Sequence, residues 1–160
     1  MKKTYQVFAD LFEYCSTFFL VCILVIVILQ VFFRYVAQII VPWTEESARY
    51  VCIWMVFMGA TAAVAKGTHI RVTFIVDRVP EKIRYIFDLF SLIVVLLFNL
   101  ITLFGSIQLV QLNWNQQAVT FPISIGVLYL SITTSSFFIL IFLAIQTVIR
   151  LKSLRPESNP

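Results

Sequence analysis

The chain has 160 residues, of which 61% are hydrophobic and 12% are charged, and its formal net charge is +4. Soluble domains carry apolar residues at about half of their positions, so this composition excludes an ordinary soluble protein. The 16 phenylalanines, against 4 glycines, favour long helices that face lipid over a glycine-rich β-barrel. The composition therefore predicts an all-α integral membrane protein.

Four apolar segments are long enough to cross a bilayer, which requires about 20 residues. The first is too long for a signal peptide and no small-residue cleavage site follows it, so we expect it to be retained. No linker is long enough for a further domain, so residues 1–160 are predicted to form a single four-helix membrane domain. The predicted spans are residues 14–40, 47–65, 85–112 and 123–149.

The basic residues orient these spans. Ten of the 12 lie at the N-terminus, in the segment 66–84 or after residue 149, and only Arg34 and Arg49 lie toward the opposite side. The positive-inside rule then places both termini in the cytoplasm. The basic segments are expected to contact anionic membrane lipid, and nothing in them favours nucleic acid.

Two further segments flank the spans. Residues 4–15, "TYQVFADLFEYC", place apolar side chains at helical spacing and predict a short amphipathic lead-in at the inner surface. Residues 69–80 alternate like a strand, but an isolated strand has unpaired edges, so we predict a short interfacial helix. Pro80 and Glu81 are expected to open the third helix, and Pro122 the fourth.

The spans carry few groups that could do chemistry. They lack an Asp, Glu, Lys or Arg near mid-membrane and contain no proline, so no substrate site of the broken-helix type is expected. Their polar residues predict interhelical hydrogen bonds, each worth under about 2 kcal/mol. These polar residues are Gln30, Asn99, Thr102, Gln108, Thr133, Thr134, Ser135 and Ser136.

Neither a cofactor nor a metal is expected. His69 is the single histidine and cannot form a bis-histidine haem site by itself. The cysteines at positions 15, 22 and 52 lie within apolar runs and are interpreted as packing residues rather than as disulfides or ligands. The chain is therefore predicted not to be an enzyme.

The second span ends in small residues, "GATAAVA". Gly59 and Ala63 form a small-xxx-small pair, which lets two helices approach closely in lipid. This pair fits a contact inside the chain or a surface offered to a partner, and both interpretations stay open. Gly67 follows Lys66 at the position of a helix C-cap glycine.

The second span begins with "PWTEESARY", which holds three charges. Trp43 is a natural anchor at the membrane interface, and Thr44 is predicted to cap the helix. Glu45 and Glu46 then lie in the first turn, where either can pair with Arg49. Two interpretations stay open: a capped helix start with a local ion pair, or a docking site. Both are favoured over an ion-binding site.

These motifs together carry a resemblance over essentially the whole chain. Trp43, Glu45, Glu46 and Arg49, the small residues from Gly59, and Lys66, Gly67 and His69 form the pattern. It resembles the small membrane subunit (DctQ or SiaQ type) of the tripartite ATP-independent periplasmic (TRAP) transporters.

The resemblance implies a division of labour in the bacterial inner membrane. A periplasmic solute-binding protein (DctP or SiaP type) would capture an organic acid such as a C4-dicarboxylate or a sialic acid. A large membrane subunit (DctM or SiaM type) would carry it inward, with sodium bound on that partner. The small subunit would scaffold the large one and contribute to docking of the binding protein. The alternatives are a membrane anchor for a respiratory enzyme and a small self-assembling channel.

Overall fold

The computed structural model describes residues 2–66 and 81–153, with side chains described for residues 5–66 and 90–147. The described residues form four long helices, which confirms the all-α fold predicted from composition. Each helix contains a segment that is long and apolar enough to cross a membrane. The helices are α1 (Lys2–Tyr35), α2 (Pro42–Ala65), α3 (Glu81–Asn113) and α4 (Gly126–Ser153).

The helix boundaries differ from the predicted spans mainly at two turns. Helix α1 ends at Tyr35 rather than near residue 40, and Gln38 in the following turn has a φ of 56°, the left-handed conformation that reverses the chain. Helix α4 begins at Gly126, so the prediction that Pro122 opens it was wrong. An ordered loop occupies residues 114–125 instead, with one antiparallel bridge between Gln117 and Ser124.

The predicted lead-in is continuous with the first helix, because residues 2–35 form one helix without a break. Its apolar face is used for packing: Ala9 and Phe12 are buried, and the ring of Phe12 lies 4.9 Å from Phe138 of α4. The segment for which we predicted an interfacial helix, residues 69–80, lies outside the described residues.

The four helices pack in a row. The extensive contacts join α1 to α2, α2 to α4, and α4 to α3. The apolar core lies where α1, α2 and α4 meet, around buried residues such as Met58, Ala62, Phe142 and Leu143. Because α1 and α3 lie at the ends of the row, most of their apolar side chains are exposed in the isolated chain. These faces are available to lipid or to a protein partner.

Some of the polar side chains predicted to bond between helices do so, whereas Thr102 and Thr134 donate to carbonyls of their own helices. Thr61 and Ser135 are fully buried, their hydroxyls bond to each other, and Ser135 Oγ also donates to the Phe57 carbonyl at 2.6 Å. Thr133 Oγ1 donates to Ser106 Oγ of α3 at 3.0 Å. Among the described residues, every buried side-chain nitrogen and oxygen has a hydrogen-bond partner.

Candidate partner-binding site at the start of the second helix

Helix α2 begins at Pro42, two residues earlier than the predicted cap. Proline suits this first position because it lacks the N–H that the helix would leave unbonded and its φ is already helical. Val41 therefore takes the N-cap position in an extended conformation and makes no side-chain cap. The prediction that Thr44 caps the helix was wrong: its Oγ1 donates to the Val41 carbonyl at 2.7 Å from inside the first turn.

Glu46 binds the distant α3–α4 loop. Its carboxylate accepts hydrogen bonds from the Val119 amide at 3.0 Å and the Thr120 amide at 2.7 Å, and a further one from the Thr120 hydroxyl. Three donors on one carboxylate form a specific clamp, because hydrogen bonds to an ionised acceptor are stronger than neutral ones. Glu46 therefore fixes the loop on the first turns of α2.

The adjacent acid points to the other neighbour. Gln30 of α1 donates through Nε2 to Glu45 Oε1 at 3.4 Å, a long contact between exposed groups. Glu45 thus lies toward the end of α1, whereas Glu46 lies toward the α3–α4 loop. Two consecutive residues of α2 therefore contact helix α1 on one side and the α3–α4 loop on the other.

The predicted ion pair with Arg49 is absent from the described residues, so that prediction was wrong. The ion pairs found there involve Lys66, and none involves Arg49. The reason is that the oxygens of Glu46 are already occupied by the three loop donors. Arg49 is exposed in the isolated chain.

The α3–α4 loop has a defined shape of its own. The Ala118 amide donates to the Ile123 carbonyl and the Ile125 amide donates to the Gln116 carbonyl, both at 2.8 Å. At its tip, the Val119 side chain is 95% exposed. An ordered loop that holds an aliphatic side chain in this way is suited to contact another molecule.

A close approach at the base of the loop explains why α4 begins at a glycine. A Cβ on Gly126 would lie 3.0 Å from the Trp114 ring and 3.1 Å from the Trp114 backbone. Ser124 reinforces the same base, since its Oγ donates to the Trp114 carbonyl at 2.6 Å. The loop therefore returns tightly against the end of α3.

The two small residues of the α2 motif face different surroundings. A Cβ on Gly59 would lie 3.0 Å from Ser16 Oγ of α1, and Ser16 in turn donates to the Met55 carbonyl at 3.1 Å. Gly59 therefore serves the contact between α1 and α2 inside the chain. Ala63 is exposed and remains available to lipid or to a partner.

The opposite end of α2 is bound to the start of α1 and the end of α4. Lys66 forms ion pairs with Glu13 and, at 3.5 Å, with Asp10, and the hydrogen bond with Glu13 raises the pKa of Lys66. The Tyr5 hydroxyl donates to the Ala65 carbonyl, and Gln146 Nε2 donates to the Val64 carbonyl at 2.7 Å. These bonds use carbonyls that a helix end leaves free. Gly67 and His69 lie outside the described residues.

Sequence reasoning identified Trp43, Glu45, Glu46 and Arg49 but missed what two of them contact. The Glu46 partners lie 73 and 74 positions away, so no helical spacing could indicate them. One usable signal was the α3–α4 loop itself, which has no charged residue although it lies beside two acids. A loop of that kind can satisfy a carboxylate only through amides and hydroxyls.

Comparison with known proteins agrees with this architecture. The family described as "Tripartite ATP-independent periplasmic transporters, DctQ component" matches residues 23–153. A putative TRAP transporter small permease protein of Haemophilus influenzae is 29% identical over 137 residues, which cover 84% of this chain and 83% of the relative. A C4-dicarboxylate TRAP transporter small permease protein, DctQ, of Vibrio cholerae is 27% identical over 59% of this chain and 40% of the relative.

A third relative is much longer than this chain. It is the isethionate TRAP transporter permease protein DctMQ of Oleidesulfovibrio alaskensis, which is 30% identical over 42% of this chain but only 12% of its own length.

Four helices that are long and apolar enough to cross a membrane, together with the match to the TRAP family, define a multi-pass protein of the inner membrane. Because the family model matches most of its length, the chain belongs to the DctQ family of small TRAP transporter subunits. It is one component of a tripartite membrane transporter.

Proposed function

We propose that this chain is the non-transporting small subunit of a sodium-driven TRAP system that imports an organic acid. In this proposal it holds the large membrane subunit in the bilayer and contributes to docking of the periplasmic solute-binding protein. Both termini lie in the cytoplasm, so the start of α2 and the α3–α4 loop face the periplasm.

The observation that carries the docking role is the pair of adjacent acids at the start of α2. Glu45 contacts α1, and Glu46 clamps the α3–α4 loop through three hydrogen bonds. The start of α2, the last turns of α1 and the α3–α4 loop therefore meet in one surface at this end. It includes the 95% exposed Val119 and the exposed Arg49, which supply an apolar contact and a cation to a partner.

The scaffold role is supported by the row of helices and by the neutral polar contacts inside it. Hydroxyls such as those of Thr61 and Ser135 bond to each other rather than lining a path for a charged solute. The outer faces of α1 and α3 are apolar and exposed, as a helix that lies beside a larger membrane protein requires.

The relatives support the same assignment. One is named for C4-dicarboxylate and another for isethionate, both small organic anions. The length and the name of the DctMQ relative support a close association between a small and a large subunit. The family therefore favours a transporter subunit over a respiratory anchor or a channel.

Reconstitution into proteoliposomes tests the proposal. The chain alone should show no uptake of an organic acid, whereas the chain with its large subunit, the binding protein and a sodium gradient should transport. Uptake by the chain alone would overturn the scaffold role. Unchanged binding-protein affinity when the small subunit is omitted from a stable large-subunit preparation would overturn the docking role.

A further inference from the structure

A cleft of about 260 Å³ lies between the end of α1 and the start of α2, beside the candidate docking surface. Its walls come from the last turns of α1, from the connecting turn and from the first turn of α2. They include one cation, Arg34, and one anion, Glu45. The cleft therefore offers both signs of charge within a space the size of a small polar group.

The two charges in the cleft are not matched with each other. Both Arg34 and Glu45 are exposed, and neither forms an ion pair within the described residues. Glu45 has one long contact with Gln30, which leaves most of its acceptor capacity unused. A ligand that carries a cation and an anion a few ångströms apart would match both residues at once.

The surroundings of the cleft are those of a membrane boundary. Ile39 and Ile40 belong to its lining, and Ile40 is 91% exposed in the isolated chain. Trp43, the residue after the first position of α2, is half exposed and is of the type that anchors helices at the headgroup level. A ligand with an apolar part would cover the two isoleucines.

We propose that this cleft binds the headgroup of a phospholipid of the phosphatidylethanolamine class. The phosphate contacts Arg34, the primary ammonium contacts Glu45, and the acyl chains lie against Ile39 and Ile40. Arginine suits a phosphate because its planar guanidinium donates in parallel, and a carboxylate suits an ammonium that has three N–H donors.

Other ligands match the cleft less well. Glu45 repels a simple anion or an anionic headgroup, and Arg34 repels a metal cation. A choline headgroup carries no N–H, so it cannot donate to Glu45. A water-soluble zwitterion would leave the exposed isoleucines uncovered. This inference needs only a membrane-embedded chain and does not depend on docking of the binding protein.

Lipid binding to the delipidated complex of this chain with its large subunit tests the proposal. The probes are short-chain phosphatidylethanolamine, phosphatidylcholine and phosphatidylglycerol, and native mass spectrometry measures the affinity of each. The wild type should bind phosphatidylethanolamine about tenfold more tightly than phosphatidylcholine, the effect of one additional charge-assisted contact.

Two variants test the ammonium contact and the phosphate contact separately. Glu45→Gln should remove the preference, so that phosphatidylethanolamine binds no better than phosphatidylcholine. Arg34→Gln should weaken both zwitterionic lipids by about tenfold, because each loses its phosphate contact. Arg34→Lys is the matched control: it keeps a cation in the cleft, because a lysine ammonium also binds a phosphate, and should retain most of the affinity for both lipids.

The proposal is overturned by any of three results. The wild type shows no preference for phosphatidylethanolamine, or Glu45→Gln retains the preference, or Arg34→Gln binds both lipids as tightly as Arg34→Lys. A general loss of folding lowers all affinities together, which distinguishes it from the selective loss of preference expected for Glu45→Gln. Size-exclusion chromatography of the same samples confirms that the complexes are intact.

Discussion

Glu46 and Thr120, 74 positions apart, are joined by two hydrogen bonds, one from the Thr120 amide at 2.7 Å and one from its hydroxyl. This contact connects the start of α2 to the loop between α3 and α4. It replaces the ion pair with Arg49 that helical spacing alone predicts. Glu46, which by its place in the first turns of α2 is expected to stabilise its own helix, therefore holds a loop from the other half of the chain.

Releasing this loop should be possible with a single substitution. Glu46→Ala removes all three acceptor contacts, and Glu46→Gln places an amide that donates toward the loop donors, so both should loosen residues 118–120. A cysteine introduced at Val119 reports the change, because its labelling by a membrane-impermeant maleimide senses loop mobility. Labelling should be faster in both Glu46 variants.

Glu45→Gln is the control for loss of a neighbouring charge, and it should leave the labelling rate unchanged. Binding-protein affinity should fall in the Glu46 variants while the yield of the membrane complex is maintained. Equal labelling rates in the wild type and in Glu46→Ala would show that the clamp does not restrain the loop.

Arg49 should matter to a complex rather than to the isolated chain. It is exposed and outside the ion pairs found among the described residues, so Arg49→Ala should change the stability of the chain alone by no more than about 0.5 kcal/mol. Thermal unfolding in detergent measures this quantity. The same variant should reduce the yield of the complex or binding-protein docking, which pull-down assays measure.

Sodium dependence of uptake distinguishes this partner role of Arg49 from an ion site. If Arg49 and its neighbouring acids bound sodium, their variants would alter the sodium response while the complex stayed intact. A complex of full yield with normal docking in Arg49→Ala would remove the basis for a partner contact.

Gly59 should be far less tolerant of a side chain than Ala63. A Cβ at Gly59 already meets Ser16 Oγ at 3.0 Å, so Gly59→Leu must force α1 and α2 apart, at about 1–3 kcal/mol for an overpacked interface. Ala63→Leu adds the same kind of side chain at an exposed position four residues on and should cost little in the isolated chain.

Chemical or thermal unfolding of the two leucine variants in the same detergent measures the difference. If Ala63→Leu instead disrupts the assembled complex, Ala63 lies at a subunit interface. Equal stability of the two variants in the isolated chain would contradict the close approach at Gly59.

The Lys66 contacts predict that the stability of the folded protein falls at alkaline pH. The hydrogen bond with Glu13 raises the pKa of Lys66 above its ordinary value of 10.5, so the folded state binds this proton more tightly than the unfolded state. The resulting stability is complete below pH 10.5 and is lost as pH rises through the folded-state pKa. Because the group is exposed, the effect is also reduced by salt.

Unfolding temperatures at about pH 8 and pH 11 bracket the ordinary lysine pKa and measure this contribution. Lys66→Arg is the matched control, because arginine stays charged over the whole range and should retain the contact. The wild type should lose more stability than Lys66→Arg on going to high pH. The same loss in both proteins would show that other groups cause it.

The basic residues predict the orientation of the chain, and reporter fusions test this prediction. Fusions after residues 38, 75, 118 and 160 should report outside, inside, outside and inside, because ten of the 12 basic residues lie on the side assigned to the cytoplasm. Alkaline phosphatase and green fluorescent protein fusions give opposite readouts at each position. A periplasmic C-terminus would contradict the model.

The sequence predicted the helices well because their signal is local. Long apolar runs indicate spans without any knowledge of neighbours, and hydroxyls such as Thr133 inside a span indicate a polar interhelical contact. The start of α2 was displaced from the expected Thr44 to Pro42 because two local preferences compete there and proline is the stronger.

The contacts of the site could not be predicted in the same way. Arg49 lies at helical spacing from Glu46, but the Glu46 carboxylate instead accepts hydrogen bonds from the loop amides of Val119 and Thr120. Only the packing of α2 on α4 brings this carboxylate and these amides together. The Lys66 ion pair with Glu13 has the same origin, since it depends on how α1 crosses the end of α2. Spacing along one helix carries no information about either.

The hydroxyl pair of Thr61 and Ser135 has an electrical consequence. Moving an elementary charge across a membrane changes its energy by about 2.3 kcal/mol per 100 mV, whereas a neutral hydroxyl pair carries no net charge and interacts very weakly with the membrane potential. The seam between α2 and α4 is joined by such neutral groups and by apolar packing. It should therefore keep the same packing in energised and de-energised membranes.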